Sequence, residues 1–124
     1  MSTRKELLEA AEQCVCTDRN EQYGEPEDSF KAIADHWNAY LTNRLKTPIK
    51  LEAMDAGNMM VLFKMARAVT AQTQKWDTYT DMIGYAACAG ECALQKEKRD
   101  RADKQSEEIL LARGPVVDYS TLSR

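Results

Sequence analysis

At 124 residues the chain is the size of one domain. Apolar residues make up 44% and charged residues 30%, while three prolines and five glycines are too few for a turn-rich β architecture. A net charge of −3 excludes a dominant electrostatic grip on DNA, and no run approaches the roughly 20 apolar residues of a membrane-spanning helix.

Thr3-x-x-Glu6 reads as a capping box that opens a first helix. Leu7, Ala11, Cys14 and Val15 then recur at helical spacing, and the helix is expected to fade near Asp18 to Asn20. Gln22-Tyr23-Gly24-Glu25-Pro26 is a turn, with proline, Glu27 and Asp28 suited to the start of a second helix. Phe30, Ile33, Ala34, Trp37, Leu41 and Leu45 form its apolar stripe. Thr47-Pro48 breaks it, and a third helix is expected over Ile49 to Val69, apolar almost all round and therefore central. A fourth helix starts near Trp76, with the small-residue run Gly84-Tyr85-Ala86-Ala87-Cys88-Ala89-Gly90 in its middle. From Gln95 to Gln105 it becomes almost wholly charged, then carries Ile109, Leu110 and Leu111 before Gly114-Pro115 stops it.

These elements predict an all-α chain: a four- to five-helix bundle over 1–94 and a long charged C-terminal helix and tail over 95–124. The N-terminal Met-Ser-Thr-Arg-Lys-Glu-Leu-Leu lacks the apolar run of a signal peptide, so a cytoplasmic protein is expected. Cys14, Cys16, Cys88 and Cys92 are then reduced thiols, and their spacings fall inside helical patterns rather than in a Cys-x-x-Cys knuckle.

Acids stand where a bundle places apolar side chains. At 100° per residue, Leu51, Met59, Leu62, Ala66 and Val69 fall within about 40° of Asp55, and Glu52 lies one turn earlier. Asp77 and Asp81 share a face that continues through Tyr85, Cys88 and Cys92. Carboxylates converging inside a bundle need protons, cations or a metal ion, and oxygen-only ligands favour Mg²⁺ or Mn²⁺. Structural roles compete: Asp77 as a helix cap, Asp55 paired with a buried cation, Glu52 simply solvated. Lys64 and Arg67 lie about 180° and 120° from Asp55 and face another wall or a second subunit. Arg19 is placed to fold over a pocket mouth, and His36 reads as a satisfied or exposed histidine. There is no Gly-x-Ser-x-Gly and no Walker-type loop, so any chemistry is metal-assisted attack by water.

Three segments carry a resemblance. They are Arg19-Asn20-Glu21-Gln22-Tyr23-Gly24-Glu25-Pro26 running into Phe30-x-x-Ile33-Ala34-x-x-Trp37, then Met59 to Arg67, and Trp76-Asp77-x-x-x-Asp81-x-x-Gly84-Tyr85-Ala86-Ala87. Together, over about Thr17 to Leu94, the chain resembles small phage and prophage proteins distantly similar to MazG-like, all-α nucleoside triphosphate pyrophosphohydrolases. The resemblance implies a homodimer or tetramer with Mg²⁺ held by acids on two helices, cleaving nucleotide to monophosphate and pyrophosphate. Asp55 with Glu52 stands for the first acidic pair, and Asp77 with Asp81 for the second. The enzymes have Glu-x-x-Glu and Glu-x-x-Asp where this chain has Glu-x-x-Asp and Asp-x-x-x-Asp.

Three functions follow as expectations. The first is a Mg²⁺-dependent pyrophosphohydrolase, with Asp55, Asp77 and Asp81 on the metal and Glu52 completing the site or orienting water. Arg19, Lys64 or Arg67 would touch phosphates, and Tyr23 or Trp76 would stack on the base. The second is a non-catalytic binder that sequesters a host signalling nucleotide, working in the host cytoplasm if phage-encoded. The third is an interaction module built on the charged helix.

Overall fold

The computed structural model describes residues 3–114, and of residues 18–20 the backbone alone. The regular structure of the described residues is all helix, with short links between helices and no strand among them. The last ten residues, expected to form a loose or docked tail, lie outside the described ones.

Helix α1 spans Arg4–Gln13, and Thr3 caps it by accepting a hydrogen bond from the Glu6 N–H at 3.2 Å. The expected fade at Asp18 does not occur. A π-helical segment, Cys14–Asp18, carries the chain into α2, Arg19–Tyr23. Gly24, at φ +80°, takes the left-handed conformation that ends this first arm.

Pro26 opens α3, Pro26–Leu45, where its fixed φ suits the first turn, and Lys46 closes it in the left-handed conformation. Helix α4 spans Ala53–Thr70, starting four residues later than expected. The difference has a visible cause. Asn38 grips the backbone of Leu51 on both sides, donating to its carbonyl at 3.0 Å and accepting its N–H at 2.7 Å. Thr42 accepts the Ile49 N–H at 3.1 Å. The link 46–52 is thus tied to α3 by side chains that satisfy backbone groups a helix would otherwise use.

Helix α5 spans Trp76–Arg113. The chain divides into two compact units, Met1–Leu94 and Gln95–Arg124. In the second unit the described helix is exposed and laced by one-turn ion pairs, Lys96–Asp100 and Glu97–Arg101.

The core of the first unit is built from α3, α4 and the first half of α5. Phe30, Ala34, Ala56, Cys88 and Cys92 are buried together, with Val15, Ile33, Trp37, Leu51 and Tyr85 packed around them. Small residues set the spacing: a Cβ at Gly57 would stand 2.8 Å from the Ala89 Cβ, and one at Gly84 would stand 2.7 Å from Val15. Helix α4 is not buried all round, as its composition suggested. Its buried residues are Ala56, Gly57 and Ala68, whereas Met59, Leu62, Phe63, Met65 and Val69 are exposed.

Candidate functional site

The turn after α2, the start of α3 and the first third of α5 enclose a pocket of about 450 Å³ in the first unit, within the range of small-molecule sites. Tyr23, Gly24 and Pro26 form one wall, and Phe30 and Ile33 contribute apolar surface from α3. Asp81, Gly84 and Tyr85 face it from α5, one turn apart on the same side of the helix. Gly84 matters by its lack of a side chain, since Val15 of the π-helical segment occupies the space beside it. The π-helical turn delivers Cys14 and Val15 to the pocket lining. Tyr85 packs against Phe30 with ring centroids 6.1 Å apart.

Among the described residues lining this largely apolar pocket, Asp81 is the charged one. The Asp81 carboxylate accepts the Lys64 ammonium at 2.8 Å, and both side chains are only about one-fifth exposed, at 22% and 23%. The pair links α5 to α4 and leaves the wall neutral in net charge while keeping a carboxylate acceptor at the pocket. Thr80 is buried beside it, its hydroxyl donating to the Trp76 carbonyl at 3.1 Å.

The structure brings Tyr23, Asp81 and, through its ion pair, Lys64 to this site. It places Glu52, Asp55, Arg67, Trp76 and Asp77 elsewhere. Because α4 begins at Ala53, Asp55 falls in the first helical turn, and its carboxylate accepts the Glu52 N–H at 2.8 Å in a capping box. The apolar face that carries Asp55 is the exposed side of α4, so no buried charge has to be neutralised there. Asp77 is exposed in the first turn of α5, where an acid complements the positive helix end. Trp76 is half-exposed at the same end. Arg67 lies over the Phe63 ring, 4.8 Å from its centroid. Arg19 belongs to α2 by its backbone, and its side chain lies outside the described residues. Among the described residues no group of three or more His, Cys, Asp or Glu side chains is arranged to hold a metal ion.

Of the lining residues, only Tyr23 and Asp81 were expected; those left out include Ser29, Met60, Tyr85 and the two pocket thiols, Cys14 and Cys88. Tyr85 had a signal, being one turn beyond Asp81 on the same face. All four cysteines are free thiols. Burial pushes the Cys88 thiol up to about 11, with Cys92 and Glu91 adding to the effect, and burial raises Cys92 as well. Such thiols stay protonated at neutral pH and are poor nucleophiles. His36 is exposed, its Nδ1 2.7 Å from the Ala32 carbonyl, which keeps the proton on that nitrogen.

A family model described as "Domain of unknown function (DUF6378)" matches residues 6–93. The chain belongs to the DUF6378 family. The gene 55 protein of Mycobacterium phage D29 is 37% identical over 82 residues, covering 66% of this chain and 50% of that protein. The gene 55 protein of Mycobacterium phage L5 is 29% identical over 93 residues, covering 75% of this chain and 56% of that protein. The chain thus spans about half the length of the curated relatives it matches. No solved structure matches it. The similarity to phage proteins is therefore shown, while neither relative's name mentions a MazG-like protein or a nucleotide. Every residue lining the pocket falls inside the DUF6378 segment.

Proposed function

We propose that this DUF6378 domain binds a nucleotide, with the base in the pocket and the phosphates outside it. The observation that carries the reading is the meeting of Tyr23 and Tyr85 with a single carboxylate, Asp81, in an otherwise apolar pocket of nucleoside size. Aromatic surface suits the faces of a base, and a carboxylate accepts from an exocyclic amine or ring N–H on its edge. With Asp81 neutralised by Lys64, the described pocket lining carries no net positive charge to draw phosphates inside. The Lys64 ammonium and Arg19, at the Tyr23 arm, are the cations assigned to the phosphates. In a phage setting such a binder would act in the host cytoplasm by sequestering a host signalling nucleotide.

Mg²⁺-dependent cleavage of a nucleoside triphosphate to monophosphate and pyrophosphate is the second reading. Its support is the pair of carboxylates one turn apart on α5, Asp77 and Asp81. The donor set does not fit a metal well: Asp81 is engaged by Lys64, and Glu52 and Asp55 are engaged with each other. We therefore derive no metal-assisted step.

One experiment separates the two. A panel of ribo- and deoxynucleotides is incubated with the full chain, with and without Mg²⁺, following melting temperature and chromatographic product together. Binding predicts a melting shift from one base class that persists without metal and is lost in Tyr23→Ala and Asp81→Asn. Metal-dependent monophosphate would establish the hydrolase instead, and silence in both readouts rejects a nucleotide site.

A further inference from the structure

Apart from Met54 and Met60, the bulky apolar residues of α4 that are exposed, from Met59 to Val69, face away from the core of their own unit. At 100° per residue, Met59, Leu62, Ala66 and Val69 form one stripe with Phe63 on its flank. Val69 is 78% exposed, Leu62 68%, Phe63 45% and Met59 37%, whereas the buried residues of the helix are alanines and a glycine. A row of large apolar side chains exposed along about three turns, opposite a buried side of small ones, is the pattern of a helix with a second apolar partner.

The charges on α4 select that partner. Its N-terminal end carries Glu52 and Asp55, and its C-terminal half carries Lys64 and Arg67. Arg67 is drawn to the flank of the stripe, its guanidinium stacked on Phe63. Asp55 lies in line with the stripe and accepts the Glu52 N–H through Oδ2, and a carboxylate has lone pairs for a further donor. A helix acidic at one end and basic at the other is complementary to itself when reversed. Laid antiparallel across a two-fold axis beside Val61 and Leu62, two copies set Asp55 of one opposite Arg67 of the other, and Met59 opposite Phe63. Their helix dipoles then oppose favourably. A parallel pair would set like charges together at both ends.

We propose that the Met59–Val69 face is the interface of a homodimer in which two α4 helices pack antiparallel, with Leu62 beside the two-fold axis and Asp55 facing Arg67 of the second copy. The interface is isologous, each copy using the same patch. It is independent of the nucleotide reading, because the residues of this helix used there, Met60 and Lys64, lie off the stripe by the same turn arithmetic.

Sedimentation equilibrium of the full chain across the micromolar range is expected to show a dimer. Leu62→Glu is expected to raise its dissociation constant by about 100-fold or more, because two carboxylates would be buried at the axis. Its far-UV circular dichroism should match the parent chain, since Leu62 is exposed in the single copy. Cross-linking fixes the direction. In a Cys16→Ser background, oxidation should link Leu62→Cys into covalent dimers but not Val69→Cys, whose two copies would stand roughly 20 Å apart along antiparallel helices. A monomer at all concentrations, a dimer untouched by Leu62→Glu, or equal cross-linking at both positions would each overturn the proposal.

Discussion

Two glycines of similar sequence setting part company once their surroundings are known. Gly57 and Gly90 both interrupt helices, where glycine costs up to about 1 kcal/mol against alanine. At Gly57 an added Cβ would meet the Ala89 Cβ at 2.8 Å and its Cα at 3.1 Å, and backbone cannot move aside as a flexible side chain does. At Gly90 it would meet nothing within 4 Å. Gly57→Ala is therefore expected to destabilise by about 1–3 kcal/mol despite its better propensity. Gly90→Ala should stabilise by about 0.5–1 kcal/mol, and urea denaturation of the two variants beside the parent checks both signs. Cys88 gives a pH prediction of the same local kind. Its thiol is raised from 9.0 to about 11, first by burial and then by Cys92 and Glu91, so folding favours the protonated form. The associated stability is complete below the unfolded value and is lost as pH rises through the window from 9 to about 11. The shift corresponds to roughly 2–3 kcal/mol. Unfolding curves across that window should show the parent chain losing this much more than a Cys88→Ala variant, which has no thiol at this position and keeps the other three; parallel curves would show that burial does not control the Cys88 thiol.

At the scale of the helices, the most informative residue is Asp55, whose role turns on where α4 begins. With the start at Ala53, Asp55 closes a capping box, and Asp55→Ala should cost about 1 kcal/mol while leaving any nucleotide-induced melting shift unchanged. Loss of that shift in a folded variant would return Asp55 to the binding site. The start was hidden because Pro48 is a good helix opener by local rules, whereas the grip of Asn38 on Leu51 joins residues 13 apart in sequence. The π-helical segment was hidden for a related reason: Cys-Val-Cys-Thr-Asp is a run of weak helix formers that locally reads as a fading helix, whereas the chain there is held by a tertiary contact, Val15 packing beside Gly84. By contrast, Gly24, Pro26, the stripe of α3 and the start at Trp76 were legible, because each rests on chain chemistry within one or two turns. The pocket was legible in part. Tyr23 and Asp81 could be singled out as a turn residue and an inward acid, and Tyr85 follows Asp81 by one turn, but their meeting across α2 and α5 is a tertiary fact. Periodicity identified the apolar stripe of α4 correctly and its burial incorrectly, since spacing alone does not distinguish a face turned to its own core from one turned outward.

For the molecule as a whole, composition changes at the same point as the packing. Through Leu94 the chain alternates apolar and polar residues and builds a core; from Gln95 the described helix is charged and exposed, held by pairs such as Lys96–Asp100 and Glu97–Arg101. Exposed one-turn pairs of this kind contribute only about 0.3–0.5 kcal/mol each, so the second segment draws little stability from them. The pocket lining, the Lys64–Asp81 pair and the α4 stripe all precede Leu94, and the DUF6378 match ends at residue 93. A chain ending at Leu94 should therefore keep the melting response to nucleotide and the dimer, with the same dependence on Asp81 and Leu62 as the full chain. Thermal shift and sedimentation of the two lengths side by side make the comparison. If the shortened chain folds by circular dichroism yet loses the nucleotide response, the charged helix contributes to the site. If it keeps that response but becomes monomeric, Ile109, Leu110 and Leu111, the exposed apolar residues of the second segment, are the next candidates for the contact between copies.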